Sequence, residues 1–169
     1  MAQSASTEIA APPPGFTRHF RSSRVTDPWE PIFSRIEDGA VHIGLRLGEA
    51  HCNSRGFVHG GVIATLADNA LGLTYVRAID PVAFDAYEAY ERNRMAGETP
   101  EPAAPPATRN GAVTLSLTVD YAASAALGAW LQIEPRLVKA GRSIGFVDAL
   151  VTADGDIVAR ASASFKRVG

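Results

Sequence analysis

Hydrophobic and polar positions along this chain alternate, then wind, then alternate again, and each change of period marks an element. From Pro31 the stretch PIFSRIEDGAVHIGLRLGE alternates on either side of Glu37-Asp38-Gly39, which predicts two short strands around a tight hairpin turn. In VHGGVIATLADNALGLTYV, residues 58 to 76, the apolar positions Val62, Ile63, Leu66, Ala67, Ala70, Leu71, Leu73 and Val76 recur three and four apart and wrap most of the way round. That spacing predicts a helix buried on nearly every side. After Gly111 the period returns to two: Val113, Leu115, Leu117, Val119 and Tyr121 alternate with Thr114, Ser116, Thr118 and Asp120, as in a half-buried strand. Three more strand-like runs follow at about 129–138, 144–152 and 157–168, separated by Gly141-Arg142-Ser143 and by Asp154-Gly155. Connections this short imply antiparallel neighbours. Two strands, one long helix and four strands describe an α+β fold, in which an antiparallel sheet of about six strands wraps one central helix.

Two segments stand outside this order. Residues 1–15, with the run Pro12-Pro13-Pro14, show no periodicity and read as a flexible N-terminal arm, leaving 16–169 as a single domain. Residues 79–110 form an inserted segment with five of the eleven prolines and six acidic residues, loop-like in its second half. In its first half Phe84, Tyr87 and Tyr90 are spaced i, i+3 and i+6, so a short amphipathic helix could lay aromatic rings on the body of the protein. The pattern leaves open whether this segment decorates the surface or walls a pocket.

Composition narrows the function classes. The net charge of −2 and the scattering of 16 basic residues give no basic patch for nucleic acid. Only the 58–76 stretch approaches a membrane span, and its glycines, threonines and Asp68 mark it as a core helix instead, so no membrane partner is expected. The single cysteine, Cys52, has no partner for an internal disulfide, and no Cys/His cluster has metal-ligand spacing. With no basic and apolar leader at the N-terminus, a cytoplasmic protein without a metal is expected.

The chemistry concentrates around one anomaly, the carboxylate of Asp68 in an otherwise uncharged helix. Burying an unpaired carboxylate costs several kcal/mol, so this one needs a partner, water or a task. The segment Gly141-Arg142-Ser143-Ile144-Gly145 matches the G-x-S-x-G nucleophile elbow, but its context does not. That motif requires a strand-turn-helix setting with a histidine following the serine, whereas His19, His42, His51 and His59 all precede Ser143. His59-Gly60-Gly61 stands where loop becomes helix. There, unpaired N–H groups and the positive end of the helix dipole can receive a ligand oxygen, or the glycines can serve a tight turn alone. Asp68 follows Gly60 by eight residues, about 12 Å along a helix axis. One helix therefore cannot bring both to one atom, whereas two copies related by a two-fold axis can. Alternatively, Asp68 simply bonds neighbouring groups at a dimer contact.

Asn53-x5-His59-Gly60-Gly61-x6-Asp68-Asn69, the strand ending Asp120-Tyr121, and Lys139-Ala140-Gly141-Arg142 together resemble the hotdog-fold acyl-CoA thioesterases of the PaaI type, over about residues 32–167. The resemblance implies an obligate homodimer, commonly paired into a homotetramer, with cofactor-independent hydrolysis of acyl-CoA at the protomer interface. It implies that the Gly60 N–H polarises the thioester carbonyl and that Asp68 of the facing subunit acts as general base or nucleophile. Asn53 would hold water or thioester, His59 would support the turn, and Thr114 would position the attacking water. Gly61 and Asn69 would border the substrate, and Arg142 and Ser143 would meet the nucleotide end of coenzyme A. The 79–110 segment departs from relatives, which make this link in about ten residues. A non-catalytic acyl- or CoA-binding hotdog protein is the competing expectation. A hotdog dehydratase or hydratase is less compatible, because no second histidine accompanies the aspartate.

Overall fold

The computed structural model describes residues 11–98, 104–105 and 110–169. Strand β1 (Thr17–Arg18) precedes the hairpin strands β2 (Phe33–Glu37) and β3 (Ala40–Arg46). Helix α1 (Gly60–Ile79) and helix α2 (Pro81–Met95) come next, followed by β4 (Gly111–Tyr121), β5 (Trp130–Ala140), β6 (Ile144–Ala153) and β7 (Asp156–Val168). All seven strands join one antiparallel sheet in the order β1-β2-β3-β5-β6-β7-β4. The expected long helix and surrounding sheet are present. The sheet has seven strands rather than six, because the two-residue β1 pairs Thr17 with Ser34 and is too short to show a period. The hairpin turns where expected, with Asp38 at φ 49° and Gly39 at φ 82°, the left-handed pair that suits the strand twist.

Helix α1 lies across the inner face of the sheet. Its side chains Val62, Ile63, Leu66, Ala67, Ala70, Leu71, Leu73 and Tyr75 are buried, which accounts for the near-continuous apolar wrap. Tyr75 stacks on Phe165 at 5.7 Å, and the Thr74 hydroxyl accepts the Val41 N–H at 3.0 Å. Ala159, Ala161 and Ala163 on β7 are small and buried, so the helix and sheet approach closely. No helix among the described residues is long and apolar enough to cross a membrane.

The first half of the 79–110 segment is α2, and it belongs to the core. Phe84 is buried, meeting Phe20 edge to face at 5.7 Å, and Tyr87 meets the same ring at 6.4 Å. Arg92 ties the helix to the N-terminal segment, donating to the Thr17 hydroxyl at 2.9 Å and the Arg18 carbonyl at 3.2 Å while standing over Phe20. The aromatic spacing thus produced the expected helix, and two of its three rings, Phe84 and Tyr87, pack on Phe20. The expected arm lies mostly outside the described residues; Pro13 and Phe16, which are described, close a turn at 3.2 Å.

His19 sits beneath this second layer, and its Nδ1 is buried without a hydrogen-bond partner. Burial, with Arg21 and Arg92 nearby, pushes its pKa down to about 4 from 6.5. The folded state therefore holds the neutral ring, and the unfolded chain binds more protons between those two values. Stability contributed by His19 is complete above about pH 6.5 and is lost as the pH falls toward 4, by up to about 3 kcal/mol. Denaturant titrations from pH 7 to 4 will show a steeper loss for wild type than for His19→Gln; parallel curves would remove His19 from the acid response.

Candidate active site

The helix that buries so much apolar surface brings two polar features to the inner side of β4. At one of them, Asp68 on α1 faces Thr114 on β4, whose hydroxyl donates to Oδ1 at 2.8 Å. No lysine or arginine pairs with Asp68 among the described residues, so the carboxylate is oriented without being neutralised. Its other oxygen has no protein donor there and remains open to water or ligand.

The second feature is the start of α1. His59 is the N-cap: its Nδ1 accepts the Gly61 N–H at 2.9 Å, which leaves the proton of a neutral ring on Nε2. The His59 N–H bonds the His51 carbonyl at 2.9 Å, and the His59 carbonyl accepts the Val62 N–H at 2.9 Å. The Gly60 N–H, by contrast, finds no acceptor among the described residues. It is an open donor at the positive end of a 20-residue helix. Gly61 is spent on the cap and supplies no such donor.

Asn53 builds the loop before this cap. Its Oδ1 accepts the Arg55 N–H at 2.9 Å and the Phe57 N–H at 3.4 Å, which turns its amide NH2 group away from the loop. Asn53, Gly60, Phe57 and Tyr121 line an open cleft of about 320 Å3. Tyr121 closes one side, its hydroxyl donating to the Gly60 carbonyl at 2.8 Å. In the sequence Tyr121 stands as the last apolar position of an alternating strand and in the Asp120-Tyr121 end quoted for the resemblance, and neither announces this tie.

The two features are therefore separate within one chain. Asn53, His59 and Gly60 gather at the Tyr121 end of β4, while Asp68 gathers with Thr114 seven residues away, about 23 Å along an extended strand. Asn69, one residue and about 100° round the helix from Asp68, lines a crevice of about 10 Å3 with His19 and Arg21. The structure does not bring it to Asp68. Arg142 and Ser143 lie exposed in the β5–β6 turn, where the Ser143 carbonyl accepts the Arg167 N–H at 2.9 Å. No helix follows Ser143, in keeping with its rejection as a nucleophile. The adjacent Gly145 answers to packing: a Cβ there would overlap the Tyr75 ring.

Residues 55–159 match the thioesterase superfamily. The chain is also 32% identical over 154 residues to a Pseudomonas aeruginosa protein named "Putative esterase PA0474", covering 90% of this chain and 95% of that one. It belongs to the thioesterase superfamily, and its helix wrapped by an antiparallel sheet is the hotdog fold. Among solved structures it resembles smu.793 of Streptococcus mutans UA159 bound to acetyl CoA, at 28% identity and a TM-score of 0.57, covering 79% of this chain and 85% of that one. It also shares its fold with a hypothetical thioesterase protein of Streptococcus pneumoniae TIGR4 with coenzyme A, at 21% identity, a TM-score of 0.60, and 83% and 88% coverage.

Gly145→Ala should lower unfolding free energy by about 1–3 kcal/mol, because the added methyl displaces a fully buried ring. Unchanged denaturation midpoints would show that the strand yields without cost.

Proposed function

We propose that this chain is an acyl-CoA thioesterase whose active site is completed across a homodimer. The observation that carries the reading is the pair of unsatisfied groups at opposite ends of β4: an oriented, unneutralised carboxylate and an open helix N–H. Hydrolysis of a thioester needs both. In the proposed reaction, Asp68 removes a proton from water as the water oxygen attacks the carbonyl carbon. The developing oxyanion is received by the Gly60 N–H of the partner subunit, and collapse of the tetrahedral species breaks the carbon–sulfur bond. Free acid and coenzyme A leave, the proton passing to the thiolate. Direct attack by Asp68, giving an anhydride that water then opens, uses the same geometry. Thr114 holds the carboxylate, Asn53 offers its NH2 to water or thioester, and His59 keeps the turn.

The edge position of β4 supports the dimer. One side of this 11-residue strand pairs with β7, and the other has no partner among the described residues. Antiparallel self-pairing about Thr118 would set Leu117 opposite Val119 of the partner subunit, inner face to inner face. Beyond the irregularity between Thr114 and Ser116, Thr114 would come level with Tyr121 of the partner subunit. That register brings each Asp68 to the Gly60 end of the other subunit. Pairing of dimers into a homotetramer, a cytoplasmic location, and contact of Arg142 and Ser143 with the nucleotide of the substrate belong to the same reading. The coenzyme A and acetyl CoA in the named relatives support the substrate class.

A panel of acyl- and aryl-CoA thioesters, read as thiol release, tests the proposal. Wild type will hydrolyse some of them. Asp68→Asn will lose at least about 100-fold in kcat while sedimenting as the same dimer. Binding of acyl-CoA without thiol release from any member would instead favour a non-catalytic acyl-CoA-binding protein.

A further inference from the structure

A single N–H can stabilise an oxyanion only if its direction is fixed before the charge develops. The donor at the start of α1 belongs to a glycine, the residue least able to hold its own backbone in place, at a helix end where the backbone is least constrained. The peptide unit before Gly60 is held at its His59 carbonyl by the Val62 N–H, and the open Gly60 N–H is its other end. The unit after it, between Gly60 and Gly61, is held on its N–H side by the His59 ring. Its carbonyl is held by Tyr121, at 2.8 Å. Tyr121 reaches this point from β4, a different element, so it ties the helix end to the sheet.

The contact also depends on the glycine itself. A Cβ at position 60 would stand 3.1 Å from the Tyr121 ring carbon Cζ and hydroxyl oxygen, tighter than ordinary van der Waals contact. With a side chain at position 60, the Tyr121 ring would have to give by a few tenths of an ångström. Within one protomer the Tyr121 side chain is 54% exposed, and the bond to the Gly60 carbonyl is the hydrogen bond that fixes its hydroxyl.

We infer that Tyr121 is a positioning residue for the Gly60 donor: its hydroxyl locks the first peptide unit of α1 and so aims the N–H beside it at the thioester carbonyl. The inference rests on the thioesterase reading for its kinetic consequence, but the tie itself can be read without turnover.

Tyr121→Phe keeps the ring and removes the hydroxyl. In the thioester assay kcat should fall about tenfold with KM within twofold of wild type, as expected for a lost hydrogen bond that matters in the transition state. Tyr121→Leu should fall at least as far, so that only a hydroxyl-bearing ring supports full turnover. Amide exchange of Gly61 by NMR should quicken about tenfold in Tyr121→Phe while the thermal midpoint stays unchanged. A raised KM with unchanged kcat would make Tyr121 a substrate contact and overturn the proposal. Unchanged Gly61 exchange would overturn it whether or not the protein hydrolyses thioesters. Absence of thiol release from wild type, with Gly61 exchange altered as stated, would sink the thioesterase reading and leave the tie intact.

Discussion

An α-helix rises about 1.5 Å per residue, so a helix that begins at Gly60 carries Asp68 about 12 Å beyond its own N-terminus. No rotamer of an aspartate spans that gap. The rest of the molecule is arranged around this fixed separation. Burial of α1 against the sheet keeps the helix straight and in register, through Tyr75 on Phe165 and Thr74 on the Val41 N–H. The same burial turns two polar features toward β4, the Asp68 carboxylate and the backbone at Gly60. Because β4 is the edge of the sheet, the polar positions lie where a second chain can reach them.

The two ends of the helix are managed in different ways. At the N-terminus the cap consumes the Gly61 and Val62 donors and leaves the Gly60 donor open. At the C-terminus Asp80 caps α2 through the Ala83 N–H at 3.2 Å and accepts from Asn110 at 2.9 Å, which in turn accepts from Arg167. That chain of bonds ties the corner between the helices to the first residues of β4. Further along the same strand Thr114, which orients the Asp68 carboxylate, pairs with Phe165 of β7.

Much of this was legible in the residue pattern, for physical reasons that can be named. Period-two runs and Asp-Gly or Gly-Arg-Ser turns act locally, so the hairpin and the last four strands fell close to their observed limits. The long helix was legible because an apolar wrap of that length suits a buried helix, and Asp68 stood out against it. The two-residue β1 was not legible, since two residues carry no period. Asn69 was expected to border the substrate; it diverges from Asp68 by about 100° round the helix and lines a crevice with His19 and Arg21. The tie from Tyr121 to Gly60 joins residues 61 apart in sequence and exists only once the sheet is formed.

The central claim is that each site takes its carboxylate from one subunit and its helix donor from the other. Gly60→Pro tests it cleanly. Proline at the first helical position removes the open N–H and sets a Cβ about 3.1 Å from the Tyr121 ring of the same subunit, so both changes fall on the donor half of the site; His59, at φ −74° and ψ 131°, already has the extended backbone that precedes a proline. Asp68→Asn and Gly60→Pro homodimers should each be inactive. After mixing and subunit exchange, random pairing makes half the dimers mixed, and each mixed dimer regains one intact site. The account predicts recovery of about a quarter of wild-type thioester hydrolysis. Mixed dimers demonstrated by differential tagging but showing no recovered hydrolysis would contradict it.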